Sequence, residues 1–115
     1  MTIESYDYDQ LIAGAEPKTT TGLIASGQVL NARTPLGMVT SSGKLVEWNP
    51  SATDGSQHAV LITAVGVDAS GGDKEAMVYY MGGFNTEALA WPSATDAQKR
   101  GAFVGTPITH QMLQD

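Results

Sequence analysis

Residues 58–83 read HAVLITAVGVDASGGDKEAMVYYMGG. His58 to Val67 is the most apolar run of the chain, rich in Val, Ile and Ala. A run this short and this β-branched predicts a central strand rather than a helix. Asp68 to Asp73, with Gly71-Gly72, supplies a turn. Ala76-Met77-Val78-Tyr79-Tyr80-Met81 then returns as the antiparallel partner, with Gly82-Gly83 expected to end it. In that strand Met77, Tyr79 and Met81 fall on one side and Val78 with Tyr80 on the other, as in a strand between two packed layers.

Upstream, Thr34-Pro35-Leu36-Gly37 is a turn entering a short strand near residues 36–40. Ser41-Ser42-Gly43 turns the chain, and Lys44-Leu45-Val46-Glu47-Trp48 alternates polar and apolar like a half-buried strand. The two read as a hairpin. Asn49-Pro50 and Asp54-Gly55 mark a surface loop. Downstream the pattern turns helical. Asn85 caps a short turn through Leu89, which Pro92 stops beyond Trp91. Ser93-Ala94-Thr95-Asp96 has capping-box spacing before Ala97-Gln98-Lys99-Arg100, with Gly101 weakening that helix and Gly105 ending it. Thr106 to Leu113 is of mixed character. The expected fold class is mainly β with two short helices.

Residues 1–35 differ from the rest. They hold Lys18-Thr19-Thr20-Thr21, scattered aliphatics, and Gly14, Pro17, Gly22 and Gly27, which interrupt any regular ladder. The segment reads as an extended, partly mobile N-terminal arm preceding a β-rich domain at 36–115. A strand-prone arm with open main-chain groups can add itself to an edge on a partner.

A chain of 115 residues has room for one domain. Its aromatic content of 7% makes a thin core, which favours oligomerisation. The net charge is −6, and Glu4, Asp7, Asp9 and Glu16 all precede the first basic residue, Lys18. Apart from Lys99-Arg100 the Lys and Arg residues stand singly, with no stripe to neutralise a phosphate backbone; this argues against nucleic-acid binding. The absence of cysteine excludes disulfides and thiolate chemistry and fits synthesis in the cytoplasm. The N-terminal MTIESYDYDQ does not read as a signal peptide, and no apolar run approaches the roughly 20 residues of a membrane span.

Gly37 to Leu45 places five residues between its glycines and Leu after the lysine, where a phosphate-binding loop needs four and a Ser or Thr; a hairpin turn is the better account. His58 and His110 lack a nucleophile elbow or a zinc pair, and read as a strand-end or surface residue. Asp68 to Asp73 lacks the alternating oxygen ligands of a calcium loop. No catalytic, cofactor-binding or metal-binding residue is expected. Trp48, Trp91, Phe84 and Phe103 read as core or oligomer anchors.

Taken in order, Thr34-Pro35-Leu36, then Ser42-Gly43-Lys44-Leu45-Val46-x-Trp48, then Thr53-Asp54-Gly55 before the apolar strand make a recurrent set. Tyr79-Tyr80-x-Gly82-Gly83-Phe84, Trp91-Pro92 and Lys99-Arg100-x-Ala102-Phe103-x-Gly105-Thr106 complete it. Over residues 34–108 this set resembles the head decoration protein (protein D) family of lambda-like bacteriophages. Upstream, Ala13-Gly14-x-x-Pro17 followed by threonines is similar to the family's arm. The chain departs from the family pattern in three places. Met81-Gly82-Gly83-Phe84 stands where the family has a Lys-Ser-Gly-Thr-Phe type of turn, Gly37 replaces a larger apolar residue, and Gln28 to Arg33 is less proline-rich. The resemblance implies a compact, β-clip-like subunit without catalysis or cofactor. It implies homotrimers on the outer surface of the expanded head, made in the host cytoplasm and placed at three-fold and quasi-three-fold positions. Their arms would pair onto strands of the major capsid protein, here through Leu11, Ile12, Ala13, Gly14, Pro17, Thr19, Thr20 and Thr21; Trp48, Trp91, Phe84 and Phe103 would anchor the core or the trimer.

Two other readings stay open. A small β-rich binding module for a sugar or peptide would expose Trp48, Trp91 and the tyrosines as a platform. An enzyme on a β-clip-like scaffold would need a converging polar cluster.

Overall fold

The apolar run at 58–67 folds as two pieces, because the chain bends at Ala64-Val65 after the first. In the computed structural model, which describes residues 16–111, β5 (Ala59–Thr63) lies in the main sheet and β6 (Val67–Asp68) does not. β6 pairs instead with β2 (Val29–Leu30) and turns Val67 inward beside Leu30 and Ala69. Thr63 fixes the break from the other side. Its hydroxyl accepts from the Thr34 N–H at 2.8 Å and donates to the Asn31 carbonyl at 2.8 Å, so a fully buried polar group is satisfied on both counts.

The main sheet holds β1 (Lys18–Ile24), β3 (Pro35–Met38), β4 (Leu45–Glu47), β5, β7 (Lys74–Asn85) and β8 (Ile108–Gln111). Its order is β1-β4-β3-β5-β7-β8, and β1 also pairs with β7. Five strands therefore close into a small barrel, with β8 added in parallel to the far end of β7. The expected hairpin is present, Leu36 opposite Glu47 and Met38 opposite Leu45. Gly43, at φ 73°, supplies the left-handed residue of its turn, which the Gly43 N–H closes onto the Val39 carbonyl at 2.7 Å.

Paired residues share a face of a sheet, and the core divides accordingly. Ile62 stands opposite Tyr79 on the face covered by Trp48, Phe84, Leu89, Phe103 and Ile108. Val78 turns to the other face, with Ile24, Leu36, Leu45 and Val67. One end of the barrel is stapled by Asp73. Its carboxylate accepts from the Ser26 N–H at 2.8 Å and meets the Lys44 ammonium at 2.7 Å, joining three turns. The Lys44 hydrogen bond, then the Ser26 N–H, holds this exposed carboxyl below the usual carboxylate range.

Three expectations need correction. β7 does not stop at Gly82-Gly83 but runs to Asn85. Gly82, at φ 135°, serves a close approach: a Cβ there would lie 2.7 Å from the Pro17 Cα. Met77 and Tyr80 are partly exposed, so β7 is not covered on both faces along its length. Of the two helices, only α1 (Asp96–Arg100) is an α-helix; the other is a 3-10 turn, Thr86–Ala88. Asn85 caps that turn as expected, but Leu89 is extended and buried, the Ala90 N–H is taken by the Arg33 carbonyl, and Pro92 disfavours a helical Trp91. The capping box of α1 is formed by Thr95 and Gln98, two residues later than the Ser93–Asp96 spacing suggests, and Gly101 already ends the helix.

Candidate binding surface

The N-terminal segment joins the body through β1. Residues 18–35, read as the rear of an arm, hold β1, β2 and the start of β3. Thr19 stands opposite Tyr79, Thr20 opposite Val78 and Thr21 opposite Met77, all three threonines exposed. Their pairing is a main-chain matter, which needs no apolar side chain. Pro17 lies exposed against Gly82 at the mouth of the barrel. Leu11, Ile12, Ala13 and Gly14 lie outside the described residues.

β1 meets β4 at a single register position, Ile24 opposite Leu45. Among the described residues, Lys18 to Leu23 therefore has β7 on one edge and no strand on the other. The N–H and C=O groups of an unpaired edge are a template for an added strand. Leu23 (39% exposed) and Met77 (45% exposed) give the same ribbon an apolar border. Beneath it Gly22 lies flush on the core, where a Cβ would come 2.6 Å from the Leu45 Cδ1.

The four aromatic residues singled out as anchors belong to one group. Trp48, Phe84 and Phe103 are buried and Trp91 is half-buried. Trp48 and Trp91 meet edge to face at 5.5 Å, and Phe103 lies 6.4 Å from Trp91. Trp48 donates to the Gln57 carbonyl at 2.7 Å, and Trp91 to the Thr86 carbonyl at 2.8 Å. Phe103 holds a left-handed φ of 67°, which turns its ring inward directly after α1.

The residues weighed for chemistry are dispersed. His58 is exposed beside an open cleft of about 470 Å³ lined by Thr40, Thr53, Asp54 and Gln57. The Ser56 hydroxyl and then its N–H hold the Asp54 carboxyl below its usual range. Among the described residues no group of three His, Asp or Glu side chains is placed to hold a metal ion, and no helix is long and apolar enough to cross a membrane. His110, read as a strand-end or surface residue, lies one residue from the end of β8, half-buried against Trp91 and Phe103. The β-branched Ile108-Thr109 ahead of it was the available signal for β8.

Comparison with known proteins agrees with this frame. The chain is similar to a head decoration protein of Enterobacteria phage P21, 34% identical over 107 residues that cover 90% of this chain and 88% of the relative. It is also similar to a putative decoration protein of Escherichia phage N15, 39% identical over 80 residues and 68% of each chain. The sequence model of the bacteriophage lambda head decoration protein D family matches residues 1–110. The match spans the open-edged β1, the barrel and the aromatic group together, and the chain belongs to the bacteriophage lambda head decoration protein D family.

Proposed function

We propose that this protein is a β-clip-type capsid decoration subunit, acting as a homotrimer on the outer surface of an expanded phage head after synthesis in the host cytoplasm. The observation that carries the reading is the family match over nearly the whole chain. The trimer would sit at three-fold and quasi-three-fold sites, with the major capsid protein as its partner and the N-terminal arms pairing onto capsid strands.

The β1 geometry supports this in a specific way. Residues 1–15 lead in sequence to β1, which is anchored along β7, so the body is a firm base for the arm. Ordering an arm costs about 1–2 kcal/mol per residue, so one arm alone binds weakly. Three arms on one trimer make the later contacts intramolecular, worth about 10²–10⁴-fold in avidity. A cap that fits only the expanded shell stabilises that shell by its differential affinity.

The test is co-sedimentation with expanded, undecorated heads, comparing the full chain with one lacking residues 2–15. That deletion stops short of β1, so the barrel stays intact. The truncated protein is expected to fold normally and to bind at least about tenfold more weakly. Equal pelleting would remove the arm from the mechanism.

A further inference from the structure

β8, α1 and the 3-10 turn meet at one corner of the molecule, around His110. His110 stands opposite Phe84 in the parallel β7–β8 pair. Its Nδ1 lies 2.8 Å from the hydroxyl of the buried Thr86. Its ring packs 5.4 Å from Trp91 and 5.8 Å from Phe103. Trp91 in turn donates to the Thr86 carbonyl at 2.8 Å, so Thr86 is gripped through both side chain and main chain. A cavity of about 220 Å³, lined by Thr86, Asp96, Lys99, Arg100, His110 and Gln111, opens beside the ring and gives a proton a route to it.

We propose that His110 is an acid-sensitive latch: neutral, it holds β8 and the end of α1 against the last residues of β7, and protonated, it releases that corner while the five-strand ring stays closed. In the neutral ring with its proton on Nε2, Nδ1 accepts the Thr86 hydroxyl hydrogen. Protonation turns Nδ1 into a donor. The Thr86 hydroxyl must then rotate to accept, and its own hydrogen is left without its acceptor in a buried place.

Charges of both signs border the ring, and burial decides the direction. On α1, Lys99 and Arg100 line the cavity and oppose a second cation, while Asp96 favours one. Glu87 on the 3-10 turn is exposed, and neither β8 nor the 82–85 stretch of β7 carries another ionisable side chain within the described residues. The Trp91 and Phe103 rings are inclined to the imidazole at 58° and 77°. Burial of the ring lowers the pKa of His110, against a smaller upward pull from the main chain at Lys99 and Ala102. An unfolded chain thus takes up this proton at a higher pH than the folded one. The stabilisation is complete above about pH 6.5 and is lost as pH falls from there through the folded-state value.

NMR of the full chain tests this, following the His110 ring signals and the amides of Ile108 to Gln111 between about pH 7.5 and pH 5. The expected result is a ring midpoint below about 6.5, accompanied by loss of amide protection confined to β8 and the end of α1. A midpoint at or above that value, or β8 amides as protected at low pH as at high pH, would overturn the proposal. Thermal midpoints give a second readout. His110→Gln retains an acceptor for Thr86 but cannot titrate, so its midpoint should fall less between the two pH values than that of the wild type. An equal fall in His110→Gln would also overturn it.

Discussion

Alanine at Gly37 is expected to cost about 3 kcal/mol or more, enough to leave much of a small domain unfolded. Gly37 is buried in β3 at a register shift against β5. A Cβ at this position would lie 2.6 Å from the Ser56 Cα and 2.7 Å from its carbonyl carbon. The obstacle is main chain, which no rotamer change relieves. Ser56 cannot retreat easily, because its N–H and hydroxyl both bind Asp54, at 3.0 and 2.6 Å, and its carbonyl accepts from Asn49 at 3.1 Å. Ser56, in the 49–57 loop, occupies the space a larger residue at position 37 would fill. Urea denaturation of Gly37→Ala gives the number, and a loss under about 1 kcal/mol would mean that the loop yields.

Truncating Trp48 to alanine has the other large expected effect, about 3–5 kcal/mol. The indole is 3% exposed in the core and packs edge to face on Trp91. Its removal leaves a cavity and strips the Gln57 carbonyl of its donor. Trp48→Phe separates the two contributions: it retains most of the apolar area and is expected to lose only about 1–3 kcal/mol, for the unpaired carbonyl and incomplete packing. If Trp48→Ala unfolds within about 1 kcal/mol of the wild type, Trp48 is not the core anchor described above.

What could be read from the sequence follows the kind of force involved. The 36–48 hairpin was legible because Gly43 marks the turn and Leu45-Val46-x-Trp48 supplies an apolar, strand-prone return. The position of β5 was legible from its β-branched apolar run. β1 was not, because Thr19, Thr20 and Thr21 pair through their main chain with β7 and carry no apolar alternation. The double glycine misled for a related reason. Gly82 reads as a strand end, yet it marks the point where Pro17 crosses closely over a continuing strand. Trp48, Trp91, Phe84 and Phe103 announced themselves as anchors by type, but only tertiary folding brings His110 and Thr86 among them. Residues 11–14 carry the binding proposal by family resemblance, and the open edge of β1 is the part of that proposal with a structural basis.

The most direct measurement is binding of the full chain to expanded, undecorated heads of the parent phage, titrated at nanomolar concentration and read by sedimentation. Saturable binding at three copies per three-fold or quasi-three-fold site is expected, with decorated heads withstanding higher temperature than bare ones. Protein that stays in the supernatant at every concentration, or that binds without raising head stability, would contradict it.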